Sequence, residues 1–263
     1  MTRPAEIDAA IEALAHAGFL APTAEAAELA ACADHGDELR ALVARRTTGE
    51  PLAWITGTTT FCGETIRVDP GVYVPRPQTE PMAEAAVRLL PAEGIAVDLC
   101  TGFGAIAAVL ARRRPGARVL ASDIDPRAVA CARSNGVHAH RGDLDQPLPP
   151  ELHGRVDVVT GVVPYVPTES LHLLPGDVRD HEPEVALDGG PGGTRVLDRA
   201  VAAAARLLRP GGWLLLEVGG SQPDHLGPDL ARRGFGRIEV ATDEEGDARS
   251  IRARATPARP PAS

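Results

Sequence analysis

The run Asp98-Leu99-Cys100-Thr101-Gly102-Phe103-Gly104-Ala105-Ile106-Ala107 constrains this chain more than any other feature. An apolar stretch at 95–97 leads into an acidic residue, a tight glycine turn and then small apolar residues at helical spacing. A second apolar stretch, 118–122, ends on Asp123, nineteen residues after Gly104. The pattern is that of a βαβ unit whose turn lies against a nucleotide-like ligand. Glycine lets the backbone turn sharply and approach a ligand with no Cβ in the way. A carboxylate closing the second strand is placed to accept hydrogen bonds from two ribose hydroxyls.

Dinucleotide-binding chains share the glycine pattern, so its neighbours decide the ligand. Asp98 at the start of the turn would repel a pyrophosphate and attract an ammonium. The loop reads Thr-Gly-Phe-Gly and lacks the third glycine of the dinucleotide fingerprint. Downstream, Leu207-Leu208-Arg209-Pro210-Gly211-Gly212-Trp213-Leu214-Leu215-Leu216-Glu217 looks like the late strand entry of class I methyltransferases. These features predict S-adenosylmethionine as cofactor, with Asp98, Thr101, Gly102, Phe103, Gly104, Asp123 and Ile124 around it. The competing assignment, that the glycines only pack helix against strand, leaves Asp123 without a reason.

Hydrophobic content of 44% is ample for a core, and a net charge of −9 gives no support for a broad nucleic-acid footprint. Direct nucleic-acid binding is therefore not expected. The four cysteines, Cys32, Cys62, Cys100 and Cys131, form no C-x-x-C pair and have no histidine at zinc-ligand spacing. A reduced, cytoplasmic protein with no metal is the expectation. His138-Ala139-His140 places two imidazoles on one strand face without further ligands. Residues 1–20 carry several acids and no continuous apolar core, unlike a signal peptide, and no apolar run is long enough to span a membrane.

Helical periodicity is read over 5–17, 22–33 and 37–48, with Pro51 stopping the helices. Residues 54–68 alternate as a hairpin around Thr58-Thr59-Thr60 and Gly63, and 81–90 resumes as helix. From 95 onward strands (95–97, 118–122, 137–139, 156–159, 213–218) alternate with helices (105–113, 126–134, 194–208, 222–233), before a terminal hairpin of 237–241 and 250–255. Alternating βα units imply a parallel sheet with helices on both faces. The expected organisation is a helical domain at 1–50, a hairpin and linker at 51–80, a Rossmann-like class I α/β methyltransferase domain at 81–256 and a disordered tail at 257–263. In such a sheet ligands bind beyond the carboxyl ends of the strands. Those ends also carry Asp143, placed to accept from an adenine amino group, Leu144, placed to cover the ring, and the stretch 161–165. Asp143 as a mere turn residue is the plainer alternative.

Five segments together resemble one family, the protein-(glutamine-N5) methyltransferases that modify peptide-chain release factors (the PrmC/HemK group). They are Pro51-Leu52-Ala53-Trp54-Ile55-Thr56-Gly57 with Phe61 and Gly63; Val74-Pro75-Arg76-Pro77-Gln78-Thr79-Glu80; 98–106; 157–167; and Glu182-Pro183 with Ala186-Leu187 and Gly189-Gly190. The match is collinear over about 51–220, and the helical first third fits the family's amino-terminal substrate-binding domain in outline. The resemblance implies methyl transfer from S-adenosylmethionine to a glutamine side-chain nitrogen, with a release factor as partner. It also implies that Arg76 and Thr79 help build the cofactor and acceptor pocket. A plain ion pair of Arg76 with Glu80 between the domains is the alternative. His181 is the candidate general base if the acceptor carries a removable proton.

Two positions depart from the family. Its acceptor motif is Asn-Pro-Pro-Tyr, and the aligned residues here are Val162-Val163-Pro164-Tyr165. The resemblance makes these four the catalytic segment. Val163 keeps a backbone carbonyl and Tyr165 an aromatic wall, but Val162 has no side-chain acceptor for an amide hydrogen. Slow or absent glutamine methylation is the expectation, with a small-molecule methyltransferase or a non-catalytic cofactor binder as the other readings. Cys100 stands where the family usually has glycine, and a cysteine serves there if its φ is negative.

Overall fold

The structure, a computed structural model, describes residues 4–256; the tail expected to be disordered lies outside the described residues. Three helices come first: α1 (Pro4–His16), α2 (Pro22–Ala31) and α3 (Gly36–Thr47). Their apolar positions, among them Leu14, Leu29, Leu39 and Val43, close on one another and on Ile55 as a small separate core.

Pro51 does not stop the helical segment. A short helix, α4 (Leu52–Thr56), starts directly after it, so Trp54 is helical rather than the first residue of a hairpin. A proline's fixed φ is compatible with a helix start. The hairpin is correspondingly shorter, β1 (Thr58–Phe61) antiparallel to β2 (Glu64–Arg67). Within α4 the cores part: Leu52 and Ile55 pack on the helical bundle, Ala53 and Trp54 on the core of the sheet.

After α5 (Glu80–Leu89) the chain alternates: β3 (Ile95–Leu99), α6 (Ala105–Arg113), β4 (Arg118–Asp123), α7 (Pro126–Ser134), β5 (His138–Arg141) and β6 (Val156–Gly161). It then runs through α8 (Gly176–His181), α9 (Arg195–Leu207), β7 (Leu208–Glu217), α10 (Gln222–Arg232), β8 (Phe235–Thr242) and β9 (Ala248–Ala255). The sheet has seven strands in the order β5-β4-β3-β6-β7-β9-β8. The first five are parallel, and β9 and β8 add antiparallel. Side-chain alternation sends Ala96, Val158 and Leu215 to the face covered by α5, α6 and α7, and Val97, Val159, Leu214 and Leu216 to the face covered by α9 and α10. Strand order reverses between β3 and β6, which opens a crevice beyond their carboxyl ends.

Strands β3, β5 and β6 each run two residues beyond the ends expected from sequence. Asp98 and Thr160 stay in the ladder as register partners, buried, with the Thr160 hydroxyl donating to Asp98 Oδ1 at 2.7 Å. Paired in this way, two polar side chains continue a strand that each alone would end. Helix α8 carried no periodic signal because none of its six residues is buried.

Gly104 caps α6 at φ +82°, and a Cβ there would stand 3.0 Å from Ala132 Cβ and from Val137 Cγ2. At this glycine the packing assignment accounts for the residue by itself. Gly104→Ala should destabilise the fold by about 2–4 kcal/mol, from left-handed strain plus overpacking. Urea unfolding with an unchanged m-value measures it, and a loss below about 0.5 kcal/mol would contradict the packing seen here.

Candidate active site

The crevice holds a cavity of about 520 Å³ lined on one side by Gly102, Asp123, Ile124, Gly142, Asp143 and Leu144. Val162 and Pro164 line it opposite, with residues 183–186 and, from α9, Arg195, Val196 and Arg199. A side pocket of about 30 Å³ lies against Asp98, Thr101, Phe103 and Thr79. Tyr73, Cys100, Gly102 and Val162 line both, so these four mark where the spaces meet.

Asp123 faces the cavity with each oxygen already bonded: Oδ2 accepts from Gly102 N at 2.9 Å and Oδ1 from Asp125 N at 2.9 Å. Burial lifts its pKa to about 6 against the pull of those two bonds. Asp98 sits deeper, under the loop. Thr101 Oγ1 donates to its Oδ2 at 2.6 Å and Thr160 to its Oδ1, while burial moves its pKa up. Asp143 is ion-paired with Arg199 across the cavity mouth. Ile124 is half exposed at the rim, whereas Leu144 is buried and holds a left-handed φ of +50°.

Cys100 has φ +53°, against the expected negative value. The cysteine occupies the conformation a glycine would take, at a cost of ~1–2 kcal/mol. Burial, and then the charges of Asp123 and Asp98, push its thiol pKa up, which disfavours the thiolate.

Of the acceptor segment, Val162 and Pro164 reach the cavity, Val163 is buried in the core of the sheet, and Tyr165 stands behind. The Tyr165 hydroxyl donates to Glu217 Oε1 at 2.9 Å, and the Thr79 hydroxyl donates to the other oxygen of the same carboxylate. Burial raises the pKa of Glu217. Arg76 lines neither space. Its guanidinium donates to Glu182 Oε1 at 2.6 Å and lies over the Tyr73 ring at 5.1 Å, and Glu80 is not its partner. Burial lifts Glu182 to about 7, opposed by Arg76. His181 is outside the cavity, edge-on to Trp54 at 6.4 Å, and therefore is no base for chemistry there.

Tyr73, Glu217 and the two α9 arginines were not singled out from sequence. Tyr73 had a usable signal, an aromatic beside the Pro-Arg-Pro run in a chain only 3% aromatic. So had Glu217, an acid closing an apolar strand. Arg195 and Arg199 had none in so arginine-rich a chain. Among the described residues no group of three or more His, Cys, Asp or Glu is placed to hold a metal ion, and no helix is long and apolar enough to cross a membrane.

A family model described as "Methyltransferase small domain" matches residues 64–144. The release factor glutamine methyltransferase of Geobacter sulfurreducens is 38% identical over 233 residues, 86% of this chain and 78% of that protein. The enzyme of the same description from Mycolicibacterium smegmatis is 43% identical over 233 residues, 80% of this chain and 82% of its own length. The chain belongs to the release factor glutamine methyltransferase family. Among solved structures, the E. cuniculi Mtq2–Trm112 complex, described as responsible for methylation of the eRF1 translation termination factor, matches with a TM-score of 0.52. That match is 27% identical and covers 70% of this chain and 98% of that one. The protein is thus a class I S-adenosylmethionine-dependent methyltransferase. Its cavity suits the cofactor: the half-buried Asp123 carboxylate faces a space flanked by Ile124, Leu144 and Val196, within the volume range of ordinary ligand sites.

If Asp123 receives the ribose hydroxyls, as its position predicts, Asp123→Ala should weaken cofactor binding by ~1.5–3 kcal/mol in calorimetry. The pH dependence has a definite sign. Burial lifts the Asp123 carboxyl to about 6 in the free site, and hydroxyl donors favour its ionised form. Affinity should therefore rise between about pH 5 and pH 7 and then level off, with Asp123→Asn flat over that window. Equal slopes in both proteins would remove Asp123 from the ribose position.

Proposed function

We propose that this enzyme methylates the side-chain amide nitrogen of a glutamine in a protein acceptor, a peptide-chain release factor, in the cytoplasm. The observation that supports this best is the placement of the acceptor segment: Val162 and Pro164 at the cavity, with Tyr165 braced from behind by Glu217. Bound S-adenosylmethionine supplies an electrophilic methyl on a sulfonium. On this reading Asp98, Thr101, Gly102, Phe103, Asp123, Ile124, Asp143 and Leu144 bind the cofactor, and the amino-terminal helices meet the protein acceptor.

An amide nitrogen is a poor nucleophile, so holding it in line with the methyl is most of the task. On this reading the backbone between Val162 and Pro164 offers the Val163 carbonyl to one amide hydrogen, and the Tyr165 ring backs the segment. The second hydrogen has no side-chain acceptor at Val162, and a donor left unpaired costs on the order of 1–3 kcal/mol. Turnover of the release-factor glutamine is accordingly slow.

Mass spectrometry of a release factor incubated with enzyme and cofactor tests this. The wild type should add one methyl slowly to the glutamine of the Gly-Gly-Gln motif. Val162→Asn with Val163→Pro should speed this by roughly tenfold per 1.4 kcal/mol recovered. No gain, with loss of the native activity, would mean a pocket built for another acceptor. Fast methylation by the wild type would mean that the Val163 carbonyl suffices.

A further inference from the structure

Arg76 and Glu182 lie 106 residues apart in sequence, one before α5 and the other directly after α8. They meet as an ion pair in which the Glu182 side chain is 2% exposed and the Arg76 side chain 27%. Such a pair is a poor source of stability, because both charges lose their water. Here the return is incomplete as well, since Glu182 Oε2 is buried with no hydrogen-bond partner among the described residues. What the pair does supply is position. The residue after Glu182 is Pro183, and residues 183–186 form one continuous piece of the cavity wall. The same guanidinium sits over Tyr73, which lines the junction of the cavity and its side pocket. On the other side of Glu182, His181 lies edge-on to Trp54, which donates from its indole to Val72 O at 2.9 Å. The wall is thus held at its base by two contacts to the segment around Tyr73.

We propose that the Arg76–Glu182 pair is a pin that fixes the wall formed by residues 183–186 against Tyr73, making both positioning residues for the acceptor. Neither side chain touches cofactor or reacting atoms. Arg76 acts through Tyr73, and Glu182 through the wall that follows it. Loosening the pin widens the acceptor side of the cavity and leaves the Asp123 side as it is. The acceptor part of this inference rests on the glutamine reading above; the mechanical part does not.

Two variants test it in the full-length enzyme: Glu182→Gln, which keeps an oxygen for Arg76, and the double variant Arg76→Met/Glu182→Leu, which leaves no buried charge unpaired. Amide hydrogen exchange reads the wall directly, since the amides of Ala186, Leu187, Asp188 and Gly189 are all hydrogen-bonded. In the double variant these amides should exchange about tenfold faster or more, with β3, β4 and β6 unchanged. Calorimetry with S-adenosylhomocysteine should give affinity within about twofold of wild type. With a release factor as acceptor, KM should rise about tenfold while kcat falls less than about threefold, and Glu182→Gln should recover part of the loss. Unchanged exchange at these four amides overturns the pin. So does a loss of cofactor affinity in step with faster exchange, which would return Arg76 to the cofactor site. Acceleration spread over the sheet would reduce the pair to general stability and also overturn it. If the wild type leaves the release factor unmodified, the glutamine reading falls, and the exchange result alone decides the pin.

Discussion

The buried carboxylate of Asp98 is the constraint on which the rest of the site depends. It lies in the β3 ladder, one residue before the strand ends at Leu99, where strand order reverses. One of its oxygens takes the Thr101 hydroxyl from the glycine loop, and the other takes the Thr160 hydroxyl from the end of β6. The loop on one side of the switch point and the acceptor segment on the other are therefore tied to a single group. Its burial raises its pKa, and the two hydroxyl bonds oppose that shift. A charge held this way cannot move without breaking both ties. The expected attraction of an ammonium is compatible with this, because Asp98 lies against the side pocket and its field reaches through the loop.

A second buried carboxylate does for the segment 162–165 what Asp98 does for the glycine loop. Glu217 closes β7 and joins Thr79, just ahead of α5, to Tyr165, the last residue of the acceptor segment. The surface facing the cavity is apolar at Val162 and Pro164, and Glu217 stands one layer back behind Tyr165. Carboxyl groups with raised pKa concentrate here, the buried Asp98, Glu182 and Glu217 and the half-buried Asp123. That concentration is the usual mark of a working site, where rigidity and charge are kept at the expense of stability.

The sheet and its helices were legible because their signals are local. A period of two on strands, small apolar residues on α6, and the Asp125-Pro126 cap of α7 each act within a few residues. Errors fell where a tertiary partner decided the outcome. Asp98 and Thr160 look like strand ends until each is known to bond the other. Trp54 looks like a strand residue until its indole finds Val72 O. In the site the same division holds. The glycine loop and Asp123 could be read from spacing alone, whereas the partner of Arg76 could not, because Glu182 is 106 residues away. His181 stands out by its chemistry, but it packs on Trp54 outside the cavity.

The two departures from the family pattern fall at one place. Cys100 and Val162 both line the junction between the large cavity and its side pocket. The supporting groups around them are engaged: Asp98 with Thr101 and Thr160, Glu217 with Thr79 and Tyr165, and Arg76 with Glu182. Each is expensive to keep: buried charges lose their hydration, and Cys100 holds a left-handed φ. A chain that only had to fold and bind cofactor would gain stability by relaxing an acceptor-side network of this kind, since apolar replacements of buried ion pairs are often neutral or favourable. Strain that persists beside a cavity is held there by what the cavity does. The arrangement is that of an enzyme whose two departures meet at one junction of its cavity, and it argues against a binding protein that has kept the fold alone.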